Sequence, residues 1–147
     1  MVIRLDVKDS PATVASFVSL ARAGFFDRTA FHSIVPGFVI QGGDPTGTGS
    51  GGPGYSTRDV PPKDTLYTRG VVAMAKTADQ PPGTAGSQFF VVTARDAGLR
   101  PDYAVLGRLV RGRRVAERIG RLGDPSSGER GTPRRPVVLR RVTIHAS

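Results

Sequence analysis

Cysteine is absent from this chain of 147 residues. That single absence excludes a disulfide framework, a thiolate metal site and a cysteine nucleophile, and it leaves the redox compartment open. No stretch approaches the roughly 18 consecutive apolar residues that cross a bilayer as a helix. The opening residues Met1–Val7 also lack the long apolar core of a signal peptide. The compartment is therefore unassigned: cytoplasmic, or exported if a signal or anchor precedes this segment. Lysine is scarce, at 3 of the 21 basic residues, so the net charge of +9 is carried by arginine.

What is present is turn chemistry. With 19 glycines and 12 prolines, the chain suits short strands joined by turns better than long helices. Hydrophobic residues make up 38% of it, enough for a packed core and against wholesale disorder. We find no internal repeat and no long linker, so residues 1–147 read as one domain. The charge is uneven. Residues up to Ala94 hold eight basic and seven acidic side chains, whereas those from Arg95 onward hold thirteen and five. A basic third can bind nucleic acid or anionic lipid. These arginines, however, are scattered and not interleaved with aromatics, which favours an ordinary solvated surface.

Periodicity places the elements. Ile3, Leu5 and Val7 alternate with Arg4 and Asp6, the pattern of a half-buried strand. Ser10 followed by Pro11 reads as an N-cap and first helical residue; Val14, Phe17, Val18 and Ala21 form the apolar stripe, and Gly24 stops the helix. Phe31 to Gln41 reads as two short strands bent at Pro36-Gly37, followed by a glycine-rich loop from Gly42 to Gly54. Val71–Ala75 and Gln88–Thr93 read as buried strands flanking a polar loop, Lys76–Gly86. Tyr103–Val110 is a further strand. A second helix near Gly112 turns Val115, Ile119 and Leu122 inward. An exposed loop, Gly123–Pro136, leads to a last strand, Val137–Ile144.

Two stretches are more specific. Phe31-His32-Ser33-Ile34-Val35-Pro36-Gly37-Phe38-Val39-Ile40-Gln41-Gly42-Gly43-Asp44 closely resembles the signature of the cyclophilin-type peptidyl-prolyl cis/trans isomerases, bacterial type, and Gly86-Ser87-Gln88-Phe89-Phe90-Val91 resembles their second one. The intervening segments fall in the family's order, and the resemblance covers essentially the whole chain. It implies a mainly β fold: an eight-stranded antiparallel cyclophilin-like barrel capped by two α-helices. The family's usual first strand has no counterpart before Val2: either Met1 is an artificial start, or the barrel is left with an unpaired edge.

The reaction that the resemblance implies needs no nucleophile, metal or cofactor. A prolyl amide rotates over a barrier of roughly 20 kcal/mol because conjugation stiffens its C–N bond. A catalyst must hold the ring and stabilise the twisted amide more than the planar one. By similarity, Phe38, Val39, Phe90 and Leu99 would take the proline ring, with Tyr103 at the rim. Gln41, supported by Gln88, would hydrogen-bond the substrate backbone, while Ala75 and Lys76 would pair with it in β fashion. His32, grouped with the substrate-binding residues, would be a structural or hydrogen-bonded side chain and not a base. Packing alone could also explain Phe38 and Phe90, although their neighbours Ile40 and Phe89 could fill the core instead.

Ser33 departs from the family pattern, which has arginine there, a cation aimed at the prolyl nitrogen as it loses conjugation. Serine is short and neutral. Losing such a donor costs about 10²–10³ in rate by analogy with oxyanion-hole deletions, and Ser33→Arg is expected to recover it. Arg28, Arg58 and Arg69 are the arginines considered as substitutes. Gly98 stands where many relatives have a large aromatic, which opens the groove edge. The loop holding Gln80-Pro81-Pro82-Gly83 would border a secondary pocket.

Three readings follow. The first is a prolyl isomerase weakened at position 33, monomeric, acting on proline-containing peptides or unfolded clients. The second is a non-catalytic proline-peptide-binding or chaperone-like module with the same groove. The third is a binder of anionic partners through the arginine-rich segment.

Overall fold

Alternation within the apolar runs sends neighbouring side chains to opposite faces of one antiparallel sheet. The computed structural model describes residues 1–146. Its strands are β1 (Val2–Leu5), β2 (Thr29–Ala30), β3 (Ser33–Val35), β4 (Val39–Gly42), β5 (Thr57–Arg58), β6 (Val71–Met74), β7 (Thr84–Ala85), β8 (Phe89–Val92), β9 (Val105–Arg111) and β10 (Val138–Leu139). The helices are α1 (Pro11–Arg22) and α2 (Arg113–Gly120). Six strands form the main sheet in the order β1-β9-β6-β8-β4-β3, and β10-β2 and β5-β7 form two small ribbons.

The sheet is not a closed eight-stranded barrel. β1 and β3 are its edges and do not pair with each other. The expected last strand, Val137–Ile144, pairs only at Val138–Leu139, with Ala30 and Thr29. Beyond it the chain runs on without a ladder, although Val142 and Ile144 still pack on the core. The β3 edge is covered differently: the Ile34 amide donates to the Gly131 carbonyl at 2.7 Å. No helix is long and apolar enough to cross a membrane among the described residues.

The inner face carries the main core. Ile34, Ile40, Val72, Met74, Phe89, Val91 and Leu106 meet Val14, Phe17 and Ala21 of α1 and Ala116 of α2. Phe17 stacks on Phe26 at 4.7 Å and meets Phe89 edge-on at 6.0 Å. Each such side chain contributes roughly 1.5–3 kcal/mol by leaving water. The outer face carries a separate cluster of Val39, Tyr67, Val71, Ala73, Phe90 and Val92.

Local readings needed three corrections. β1 ends at Leu5, so Val7 falls in the following turn and is 62% exposed. Ser10 occupies the N-cap of α1 but makes no capping bond with its side chain. The carboxylate of Asp59 does that work from another segment, accepting from the Thr13 amide and hydroxyl at 2.6 and 2.7 Å. In α2 the buried positions are Ala116 and Gly120, and Val115 is 40% exposed. Small residues face inward there because the helix lies close against β3 and β4. The loop after Gly123 is largely exposed, as expected, and contains an ordered turn. Its 3-10 turn Pro125–Arg130 packs on β3.

Candidate functional site

Register builds a single row across the outer face. Ser33 pairs with Gln41, Gln41 with Phe90, and Phe90 with Ala73. At about 4.8 Å per strand, Ser33 and Ala73 stand roughly 14 Å apart. The row is polar at the β3 end and apolar at the β6 end.

The apolar end is well packed. Val39 and Phe90 belong to the outer cluster, with Phe38, Ala75, Leu99 and Tyr103 partly buried against it. Ile40 and Phe89 go to the main core instead. The alternation thus resolves the packing ambiguity: two aromatics in sequence serve two faces. Phe90 and Tyr103 meet edge-on at 5.5 Å, and Lys76 Nζ lies 5.3 Å from the centre of the Tyr103 ring. Gly98 has open space where a side chain would project.

Sequence reasoning missed Tyr67, which is fully buried beneath these aromatics. Its hydroxyl donates to the Tyr103 carbonyl at 2.7 Å and accepts from the Tyr103 amide at 3.0 Å. Burial pushes the phenol up to about 12, so it keeps its proton and the tether to Tyr103. Only a pairing 36 positions apart reveals that role, and no local motif carries it.

The polar end rests on amides. Gln41 Nε2 donates to Gln88 Oε1 at 3.0 Å, and Gln88 Nε2 donates to the carbonyls of Gly49 and Gly51, both at 2.9 Å. The Ala75 amide donates to the Gln88 carbonyl at 2.9 Å. The glycine-rich loop is wound around Asp44, whose carboxylate accepts from the Thr46 amide and hydroxyl and from the amides of Gly49 and Gly51. Burial alone would raise the Asp44 pKa; these donors outweigh it and hold the carboxyl at about 2. His32 lies beside this loop with Nδ1 buried and unpartnered. Desolvation lowers its pKa more than the Asp44 charge and Gln88 raise it, so the ring is neutral near pH 7.

Ser33 lines a hollow of about 490 Å³ together with His32, Gln41, Thr48, Glu129 and Arg130. Its hydroxyl donates to the Arg130 carbonyl at 3.2 Å. The arginines considered from sequence lie elsewhere. Arg58 Nε donates to the Pro82 carbonyl and Arg69 Nε to the Thr93 carbonyl, while Arg28 donates its backbone amide to the Arg140 carbonyl in the β2–β10 region. A second hollow, of about 440 Å³, lies at the β1–β9 end of the sheet, where Arg4 and Arg108 face each other across the strands.

Comparison with known proteins agrees along the whole chain. Residues 1–144 match the family model described as cyclophilin type peptidyl-prolyl cis-trans isomerase/CLD. A peptidyl-prolyl cis-trans isomerase-like 2 of Cryptococcus neoformans is 40% identical over 97% of this chain, which spans only 25% of that relative's length. Peptidyl-prolyl cis-trans isomerase ppi1 of Schizosaccharomyces pombe is 38% identical over 86% of this chain and 83% of its own. A crystal structure of a Cryptosporidium parvum cyclophilin type peptidyl-prolyl cis-trans isomerase, in the presence of the dipeptide Ala-Pro, superimposes with a TM-score of 0.83 at 30% identity. The match covers 99% of this chain and 92% of that one.

Proposed function

The chain belongs to the cyclophilin-type peptidyl-prolyl cis-trans isomerases, and from that premise we propose that it binds proline-containing segments of flexible or unfolded chains and isomerises them. The observation that carries this reading is the Ser33–Gln41–Phe90–Ala73 row, where an apolar floor adjoins a fixed amide on one face. A proline ring seated on Phe90, Val39, Phe38 and Leu99 leaves water. Its preceding carbonyl and nitrogen then fall toward Gln41 and Ser33. Gln88 holds the Gln41 amide, so little orientation has to be bought when substrate arrives.

The same arrangement explains why a titrating base has no part in the reaction. His32 is neutral and half-enclosed by the glycine-rich loop, and rotation about a C–N bond moves no proton. The family's names favour catalysis over a purely binding module. A protease-coupled assay on a proline tetrapeptide, with calorimetry on the same peptide, tests the reading. Binding with accelerated isomerisation supports it, and binding without acceleration returns the chain to a recognition module. Failure to bind removes the groove altogether.

A further inference from the structure

The geometry points to Arg130 as the cation that this site offers to the prolyl nitrogen in place of position 33. The inference rests on the isomerase reading above and assigns a catalytic residue within it. Three groups near the nitrogen's expected place are unsuited to the task. The Ser33 hydroxyl is short and donates to the Arg130 carbonyl. Gln41 is a neutral donor with one of its two amide protons given to Gln88. His32 is pushed toward its neutral form by burial. Of the side chains lining the hollow beside Ser33 and Gln41, Arg130 is the single lysine or arginine.

Its backbone is fixed there by two small residues that need each other. The Gly131 carbonyl accepts from the Ile34 amide at 2.7 Å, which ties the 3-10 turn to the β3 edge. Gly131 adopts a φ of 65°, and a Cβ on it would stand 2.6 Å from Ser33 Oγ and 2.8 Å from the Ile34 nitrogen. Glycine at 131 therefore lets the 3-10 turn pass close against Ser33 and the β3 edge. The residue delivered by that passage is an arginine, exposed at the hollow's edge and free to lean over a bound peptide. A guanidinium there can meet the nitrogen lone pair as the amide twists, the moment at which charge-assisted donation lowers the barrier.

The test measures kcat/KM and peptide Kd for the native chain, Arg130→Ala, Arg130→Lys, Ser33→Arg and the double variant, with Arg135→Ala as an exposed-arginine control outside the hollow. Arg130→Ala should lower kcat/KM by about 10²-fold with Kd changed less than about twofold, the pattern of an interaction made in the transition state. Arg130→Lys should keep part of the rate, and Arg135→Ala all of it. Ser33→Arg should raise the rate far more in the Arg130→Ala background than in the native one, because the two arginines would share one role. An active native chain whose kcat/KM survives Arg130→Ala overturns the assignment. A native chain that binds peptide without isomerising it also overturns the assignment and leaves the groove standing. A native chain that does neither overturns the isomerase reading itself.

Discussion

The two ends of the Ser33–Gln41–Phe90–Ala73 row are built by different means. At the apolar end, Ala73 and Phe90 are 0% and 4% exposed and sit on central strands, with Tyr67 beneath them. At the polar end, Ser33 lies on an edge strand, and its surroundings come from loops: the turn wound on Asp44 and the 3-10 turn that ends at Arg130. On the proposed reading, ring binding rests on the sheet itself. The group that acts on the amide nitrogen, on the same reading, rests on loop segments outside the main sheet, one of them tied to the β3 edge. Recognition and rate are separable here, and substitutions at the two ends should separate them.

The largest effect belongs to the apolar end. Phe90→Ala removes the edge-on contact to Tyr103 and the tilted contact to Tyr67 and should destabilise the fold by about 3–5 kcal/mol. Urea denaturation measures this directly, and a loss below about 1 kcal/mol would show that Phe90 is a surface residue and not part of a packed floor.

Next is the loop around Asp44. Its folded pKa, about 2, lies below the ordinary carboxylate value. The stabilisation is thus complete above about pH 4 and is lost as the pH falls through about 2. We expect roughly 1–2 kcal/mol over that window after screening by the solvent around the exposed loop. Asp44→Asn should flatten this part of the stability profile; an unchanged profile would detach the carboxylate from loop order.

The smallest effect is expected at Gln88. Gln88→Leu leaves the Gln41 amide and two loop carbonyls without partners and should lower kcat/KM about five- to tenfold. Peptide Kd should move by less than that. A larger change in Kd than in kcat would make Gln88 part of the binding floor and erase the division between the two ends.

Much of this was legible in the residues. The hairpin bent at Pro36-Gly37, the start of both helices and the split of Phe89 from Phe90 follow from period and turn chemistry, which act over a few positions. What escaped was long-range. Tyr67 meets Tyr103 across 36 positions, and Ser33 meets Arg130 across 97. Neither partner carries a local pattern that announces the other. Barrel closure escaped for a related reason, since a strand such as Val137–Ile144 forms a ladder only where a neighbour meets it, and here one does so for two residues. Val115 failed on a subtler point: in this short helix pressed close to the sheet, Ala116 and Gly120 are buried and Ile119 packs on the core, while Val115 turns outward.

The most direct test of the ring site is an NMR titration of the native chain with an Ala-Pro peptide. The account predicts amide shifts concentrated at Phe38, Val39, Gln41, Phe90, Leu99 and Tyr103, with smaller ones at Ser33 and Arg130. Shifts centred instead on the hollow of Arg4 and Arg108 at the β1–β9 end would contradict it.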